Sequence, residues 1–114
     1  MAQRIEPQEP FKRVSVAEAK ELIAAGTKII DVRTPVEYSG GHIPDAASVP
    51  LDSVLARPTD VLRDVKDGNI LFVCQVGQRS ALAAEMAAAI GLENLYNLEG
   101  GTDAWVRLGN PVVL

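Results

Sequence analysis

The chain is poor in the residues that build metal centres and crosslinks. It has one cysteine, Cys74, and one histidine, His42. A single cysteine excludes an internal disulfide and an internal resolving thiol. One thiol and one imidazole leave too few soft ligands for a zinc site, so neither a metal nor another cofactor is expected. No arginine–lysine block occurs and the net charge is −4, which argues against a nucleic-acid partner. No apolar run is long enough to cross a bilayer, so no membrane association is expected. Met1 to Pro10 is polar and has no apolar core of the kind a signal peptide needs, which points to a cytoplasmic protein. No internal repeat or low-complexity tract is present.

What is there suits one packed domain. The length is 114 residues and 47% of them are hydrophobic. Residues 1–13 hold Pro7 and Pro10 and read as a flexible arm, which leaves 14–114 as the domain. Ser15 followed by Glu18 is a capping-box pattern, and Val16 to Ala25 suits a helix that stops at Gly26. Lys28 to Arg33 reads as a strand, and Pro35 opens a short helix through Tyr38. Ser48 to Leu51 is a short strand. Asp52 to Arg57 and Thr59 to Arg63 are helical pieces split by Pro58. Ile70 to Val73 is an unbroken apolar run, the mark of a strand buried on both faces. Ser80 to Ile90 is an alanine-rich helix, and Glu93 to Leu98 a further strand. Strands alternating with helices predict an α/β fold: a mostly parallel sheet of four or five strands, helices on both faces. The fifth strand would come from residues near Arg13 and Val14.

Cys74 stands at the junction of the buried strand and the alanine-rich helix. A strand–turn–helix aims the turn's backbone N–H groups and the helix amino terminus at its sulfur, where they favour negative charge. Arg79 adds a positive charge nearby, and Gly77 lets the turn curl around a central atom. Such surroundings lower a thiol's pKa and hold it as the nucleophilic thiolate. The competing reading is an inert buried thiol acting as a small hydrophobe. His42 reads as a buried turn residue bonded to backbone, not as a catalytic base. Asp31, Arg33 and Glu37 read as a structural ion-pair group. For Asp31 and Arg33, at a strand's carboxyl end, support of the nearby loop is added.

The segment Cys74-Gln-Val-Gly-Gln-Arg-Ser80 resembles the active loop of the rhodanese family, Cys-x-x-Gly-x-Arg-Ser. Asp31-Val-Arg33, Glu37-Tyr38 and Gly41-His-Ile-Pro-x-Ala46 form a second similar block. Gly100-Gly-x-x-Ala-Trp105 with Gly109-x-Pro-Val112 forms a third, read as fold-defining and without chemistry. The resemblance implies a sulfurtransferase in which Cys74 takes a sulfane sulfur from a donor such as thiosulfate or a protein persulfide. It passes that sulfur to a thiol, a protein or cyanide. Gln75, Val76, Gly77, Gln78, Arg79 and Ser80 would form the substrate cradle, Arg79 binding an anionic donor through its fork. Asp31 and Arg33 would support it. A sulfur relay to a partner, or a non-catalytic binding module, uses the same fold. A cysteine phosphatase or arsenate reductase is a further reading, but relatives of that kind place five residues between nucleophile and arginine. Here only Gln75 to Gln78 intervene, making a smaller ring.

Overall fold

The computed structural model describes residues 9–114. The sheet has five strands, all parallel: β1 (Lys12–Val14), β2 (Lys28–Asp31), β3 (Ala47–Ser48), β4 (Ile70–Val73) and β5 (Leu95–Leu98), in the order β1-β5-β4-β2-β3. The sheet is therefore wholly parallel, and its fifth member is the strand expected beside Val14. The helices are α1 (Val16–Ala24), α2 (Pro35–Ser39), α3 (Leu51–Ala56), α4 (Pro58–Val61), α5 (Gln78–Ala89) and α6 (Gly101–Arg107), with a single 3₁₀ turn at Arg63–Val65.

The central strand explains the layering. Ile70, Leu71, Phe72 and Val73 of β4 are all buried, and side chains alternate along a strand. Ile70 and Phe72 join one apolar cluster with Val54 of α3 and Ala83, Ala84 and Ala87 of α5. Leu71 and Val73 join the other, with Ala19 of α1 and Ala104 and Trp105 of α6. The alanines let α5 lie close to the sheet. The expected capping box of Ser15 with Glu18 forms at α1, and a second, of Thr34 with Glu37, forms at α2.

Several boundaries differ from those expected, among them β5, which starts at Leu95 and not Glu93, and α5, which starts at Gln78 and not Ser80. Phe11 is buried in the core and Lys12 and Arg13 pair with β5, so these residues belong to the domain and not to an arm. Residues 1–8 of the expected arm lie outside the described residues. The strand expected over Ser48 to Leu51 is the short pair Ala47–Ser48, because Leu51 already begins α3. The strand expected over Lys28 to Arg33 ends at Asp31, whose carboxylate turns back on the Arg33 backbone N–H at 3.0 Å.

Connections from β2 and β4 leave toward opposite edges of the sheet, β2 to β3 and β4 to β5. Open parallel sheets hold their functional crevice at the carboxyl ends of strands where such a divergence occurs. Asp31 ends β2 there with Arg33 two residues on, and Cys74 follows β4.

Candidate active site

The loop between β4 and α5 curls around the Cys74 sulfur. The residue is 1% exposed. The Gly77 N–H donates to Sγ at 3.1 Å, and the Ser80 hydroxyl lies 3.3 Å from it. Burial pushes the thiol's pKa up. Hydrogen bonds from the Ser80 hydroxyl and from the backbone N–H groups of Ser80, Gly77 and Val76 outweigh that and bring it below its ordinary value. Gly77 adopts φ +103°, a left-handed conformation, and a Cβ there would press on the Leu98 carbonyl at 3.3 Å. Only glycine takes that turn without strain.

Asn97, wholly buried on β5, holds the ring from behind. Its amide Nδ2 donates to the Gly77 carbonyl at 3.0 Å, and its Oδ1 accepts a short bond from the Ser80 hydroxyl. Because the Gly77 carbonyl can only accept, the amide orientation follows from the network. The third sequence block, read as free of chemistry, is part of this support. The Thr102 N–H and hydroxyl both donate to the Cys74 carbonyl, at 2.9 and 3.1 Å, and the Asp103 N–H donates to the Gln75 carbonyl at 3.1 Å. A Cβ on Gly101 would overlap the Cys74 and Gln75 carbonyls, so that glycine exists to let α6 approach the loop. Trp105 sits in the core as expected, its ring N–H donating to the Pro111 carbonyl at 2.7 Å.

The charged residues arrange differently from the group expected. Asp31 and Arg33 form a buried pair at 2.8 Å. Arg33 also donates to the Gly41 carbonyl at 2.8 Å and to the Gln75 side-chain oxygen at 3.0 Å, which brings both residues to the loop. Glu37 does not join them. Its two oxygens receive both ends of the Arg79 fork, at 2.7 and 2.9 Å. The Arg79 bonds, together with those from Thr34, outweigh burial and hold the Glu37 carboxyl down at about 2. The fork expected to face an anionic donor is therefore occupied. Gln75 bridges Arg33 and Asp103 and also lines the groove beside the loop. Val76 is half exposed at the tip of the turn, and Gln78 begins α5.

His42 is buried and stacks on Tyr38, ring centroids 3.6 Å apart, with Nδ1 2.9 Å from the Tyr38 carbonyl. It makes no hydrogen bond to Cys74, consistent with a turn residue and not a base. Asn97, Thr102, Asp103 and the Glu37–Arg79 pairing were missed in the sequence. Asn97 had one available signal: an amide inside the apolar strand Leu-Tyr-Asn-Leu, where a polar side chain needs a partner. Beside the loop lies a groove of about 630 Å³. Val36, Val106 and Val112 line it, together with Gln75, Thr102 and Arg107. No helix among the described residues is long and apolar enough to cross a membrane.

A parallel α/β sheet with a thiol held in an amide-lined turn at the carboxyl end of its central strand defines a small class of loop-cysteine domains. Within it, this chain belongs to the rhodanese-like domain family, which matches residues 15–108. A thiosulfate sulfurtransferase of Pseudomonas entomophila is 35% identical over 96 residues, covering 83% of this chain and 84% of that protein. The crystal structure of a rhodanese-related protein from Thermoplasma volcanium is 32% identical with a TM-score of 0.80, covering 91% of this chain and 99% of that one. A protein of unknown function from Rhodopseudomonas palustris, described as a possible tyrosine phosphatase, is 28% identical with a TM-score of 0.80, covering 99% of both chains.

Proposed function

We propose that the protein is a sulfurtransferase that carries sulfur as a persulfide on Cys74. The observation that carries this reading is the Cys74 sulfur at the centre of a ring that donates the Gly77 N–H at 3.1 Å and lies 3.3 Å from the Ser80 hydroxyl. The cycle has two displacements. The Cys74 thiolate attacks the outer sulfur of a donor and expels the donor's remainder with the bonding electron pair. An acceptor nucleophile then attacks the outer sulfur of the persulfide and releases the thiolate. With thiosulfate and cyanide the products are sulfite and thiocyanate, and charge balances in each step. This is covalent catalysis of the ping-pong type. The same N–H groups that favour the thiolate stabilise the terminal persulfide anion, as an oxyanion hole does. A reducing, cytoplasmic setting would keep the lone thiol free.

Ring size and burial weigh against phosphate-ester hydrolysis. Four residues separate Cys74 from Arg79, and the sulfur is 1% exposed, so a single terminal sulfur atom fits the approach better than a tetrahedral oxyanion. Retention of Cys74, Gly77 and Arg79 weighs against a purely non-catalytic binding module. Intact-mass measurement after incubation with a sulfane-sulfur donor should show one added sulfur atom. Cyanide should remove it as thiocyanate, and Cys74→Ala should never acquire it. An unmodified wild-type mass with every donor, or turnover of a phosphate ester without sulfur transfer, would sink the proposal.

A further inference from the structure

We propose that Asn97 is a positioning residue for the reaction at Cys74: its amide oxygen shares the single Ser80 hydroxyl proton with the Cys74 sulfur, and so sets when that proton turns to the sulfur. The sharing belongs to the free thiol; its consequence for the cycle rests on the sulfurtransferase reading.

Strand register brings the amide there. Asn97 of β5 pairs with Phe72 of β4. Side chains alternate along a strand, so Phe72 and Cys74, two residues on, share the face that α5 covers. Asn97 reaches the same face, where its strand neighbours Leu95 and Phe72 are apolar. It is 0% exposed, so solvent cannot satisfy its amide. The Gly77 carbonyl only accepts, so Nδ2 faces it at 3.0 Å and Oδ1 faces the Ser80 hydroxyl. That hydroxyl is the one donor bonded to Oδ1 among the described residues. An amide oxygen cannot donate, so the bond between them carries the Ser80 proton. The same hydroxyl lies 3.3 Å from the Cys74 sulfur, and it has one proton for two acceptors.

While Cys74 is a thiol, every group is satisfied: S–H points at Oγ, and O–H points at Oδ1. Loss of the thiol proton breaks that chain. A thiolate draws the hydroxyl round with a stronger, charge-assisted bond, which leaves Oδ1 buried without a donor beside the lone pairs of Oγ. Asn97 therefore opposes the thiolate that the ring otherwise favours. In the persulfide the charge moves to the terminal sulfur, and the hydroxyl returns to Asn97. When an acceptor attacks that sulfur, the S–S electron pair goes to Sγ and the hydroxyl turns to it again. The proton stays on Oγ throughout; only its direction changes. A thiolate's intrinsic nucleophilicity falls with its pKa, so without Asn97 the ring would hold a more abundant but weaker attacking group. The charged groups around the ring bond elsewhere: Arg79 to Glu37, Arg33 to Asp31 and Asp103 to Gln75, none of them to Ser80 or Asn97.

The test is the pH half-point of Cys74 alkylation by iodoacetamide in wild type and Asn97→Leu. Undivided use of the Ser80 proton should lower it by roughly one pH unit, the difference between a shared and a whole charge-assisted bond. A merely structural Asn97 gives the opposite sign, because loosening the turn withdraws the Gly77 N–H, 3.1 Å from Sγ, from the sulfur. In a Ser80→Ala background, Asn97→Leu should bring no fall. A second measurement does not depend on the leucine variant folding. In isotope-labelled wild type, the Asn97 side-chain amide resonances should step with the same midpoint as the thiol, and that step should largely vanish in Ser80→Ala. A half-point unchanged or higher in Asn97→Leu overturns the inference, as does a fall that persists without Ser80. So does an Asn97 amide that ignores the thiol, or follows it equally in Ser80→Ala. Those outcomes leave sulfur transfer standing. Failure of every donor to load Cys74 overturns the sulfurtransferase reading and leaves the shared proton, which is read on the free thiol, in place.

Discussion

Replacing Asn97 by leucine removes the amide that ties β5 to the loop, with little change in side-chain shape. The Gly77 carbonyl then loses its donor at a buried site, and the Ser80 hydroxyl loses its oxygen acceptor. An unsatisfied buried carbonyl costs about 1–3 kcal/mol. The Ser80 hydroxyl can turn fully toward the Cys74 sulfur, so its loss is small. Extra apolar burial of the leucine returns about 1 kcal/mol. The net expectation is a destabilisation of about 1 kcal/mol, or a Tm lowered by roughly 5 °C for a domain of this size. Urea unfolding and thermal melting measure it directly. Asn97→Asp separates shape from hydrogen-bond donation. A protonated carboxyl can donate to the Gly77 carbonyl in place of the amide, whereas an ionised one sets oxygen against oxygen. Burial raises that carboxyl's pKa in the folded state above its unfolded value, so the variant's stability should fall as pH rises. The leucine variant should show no such trend relative to wild type. A leucine variant within about 0.5 kcal/mol of wild type would refute the clamp, as would an aspartate variant whose deficit does not grow with pH.

Gly101→Ala should lose roughly 3 kcal/mol or more and most sulfur loading, since its Cβ overlaps the Cys74 and Gln75 carbonyls at φ +58°; thermal melting and loading by intact mass check it. Ser80→Ala should raise the thiol pKa, because the hydroxyl is the largest of the bonds that lower it; the half-point of iodoacetamide alkylation against pH should move upward, while wild type stays below a free thiol. The Glu37 carboxyl is depressed from 4.5 to about 2 when folded, so its ion pair stabilises fully above about pH 4.5 and that contribution is lost as pH falls through about 2. The difference in Tm between wild type and Glu37→Gln should therefore shrink between pH 4.5 and 2; a difference that stays constant over that range contradicts the pairing with Arg79.

Much of the fold was legible because the signals were local. The run Ile70 to Val73 reads as doubly buried from composition alone, and it is the strand from which both apolar layers grow. Ser15 and Glu18 close a capping box because the pairing needs only a three-residue spacing. The turn around Cys74 was equally local: its glycine and the following helix place the Gly77 N–H and the Ser80 hydroxyl on the sulfur through chain geometry. The arm expected over residues 1–13 is too long because Phe11 to Arg13 show no periodicity of their own; Phe11 is placed by burial in the core, and Lys12 to Val14 by pairing with Tyr96 to Leu98, more than eighty residues away.

By itself the sequence determined the alternation of strands and helices, the place of Cys74 after the central strand, and the tight turn that follows it. Each depends on neighbours a few residues apart, where backbone geometry leaves few choices. Tertiary structure alone decided what surrounds that turn. Arg79 finds Glu37 across 42 residues, Gln75 finds Asp103 across 28, and Asn97 reaches back 20 to Gly77. Charge and hydrogen-bonding capacity are visible in a sequence, but which donor meets which acceptor is settled only when the sheet order brings strand ends together. Here that pairing turned an arginine expected to receive an anion into one already neutralised.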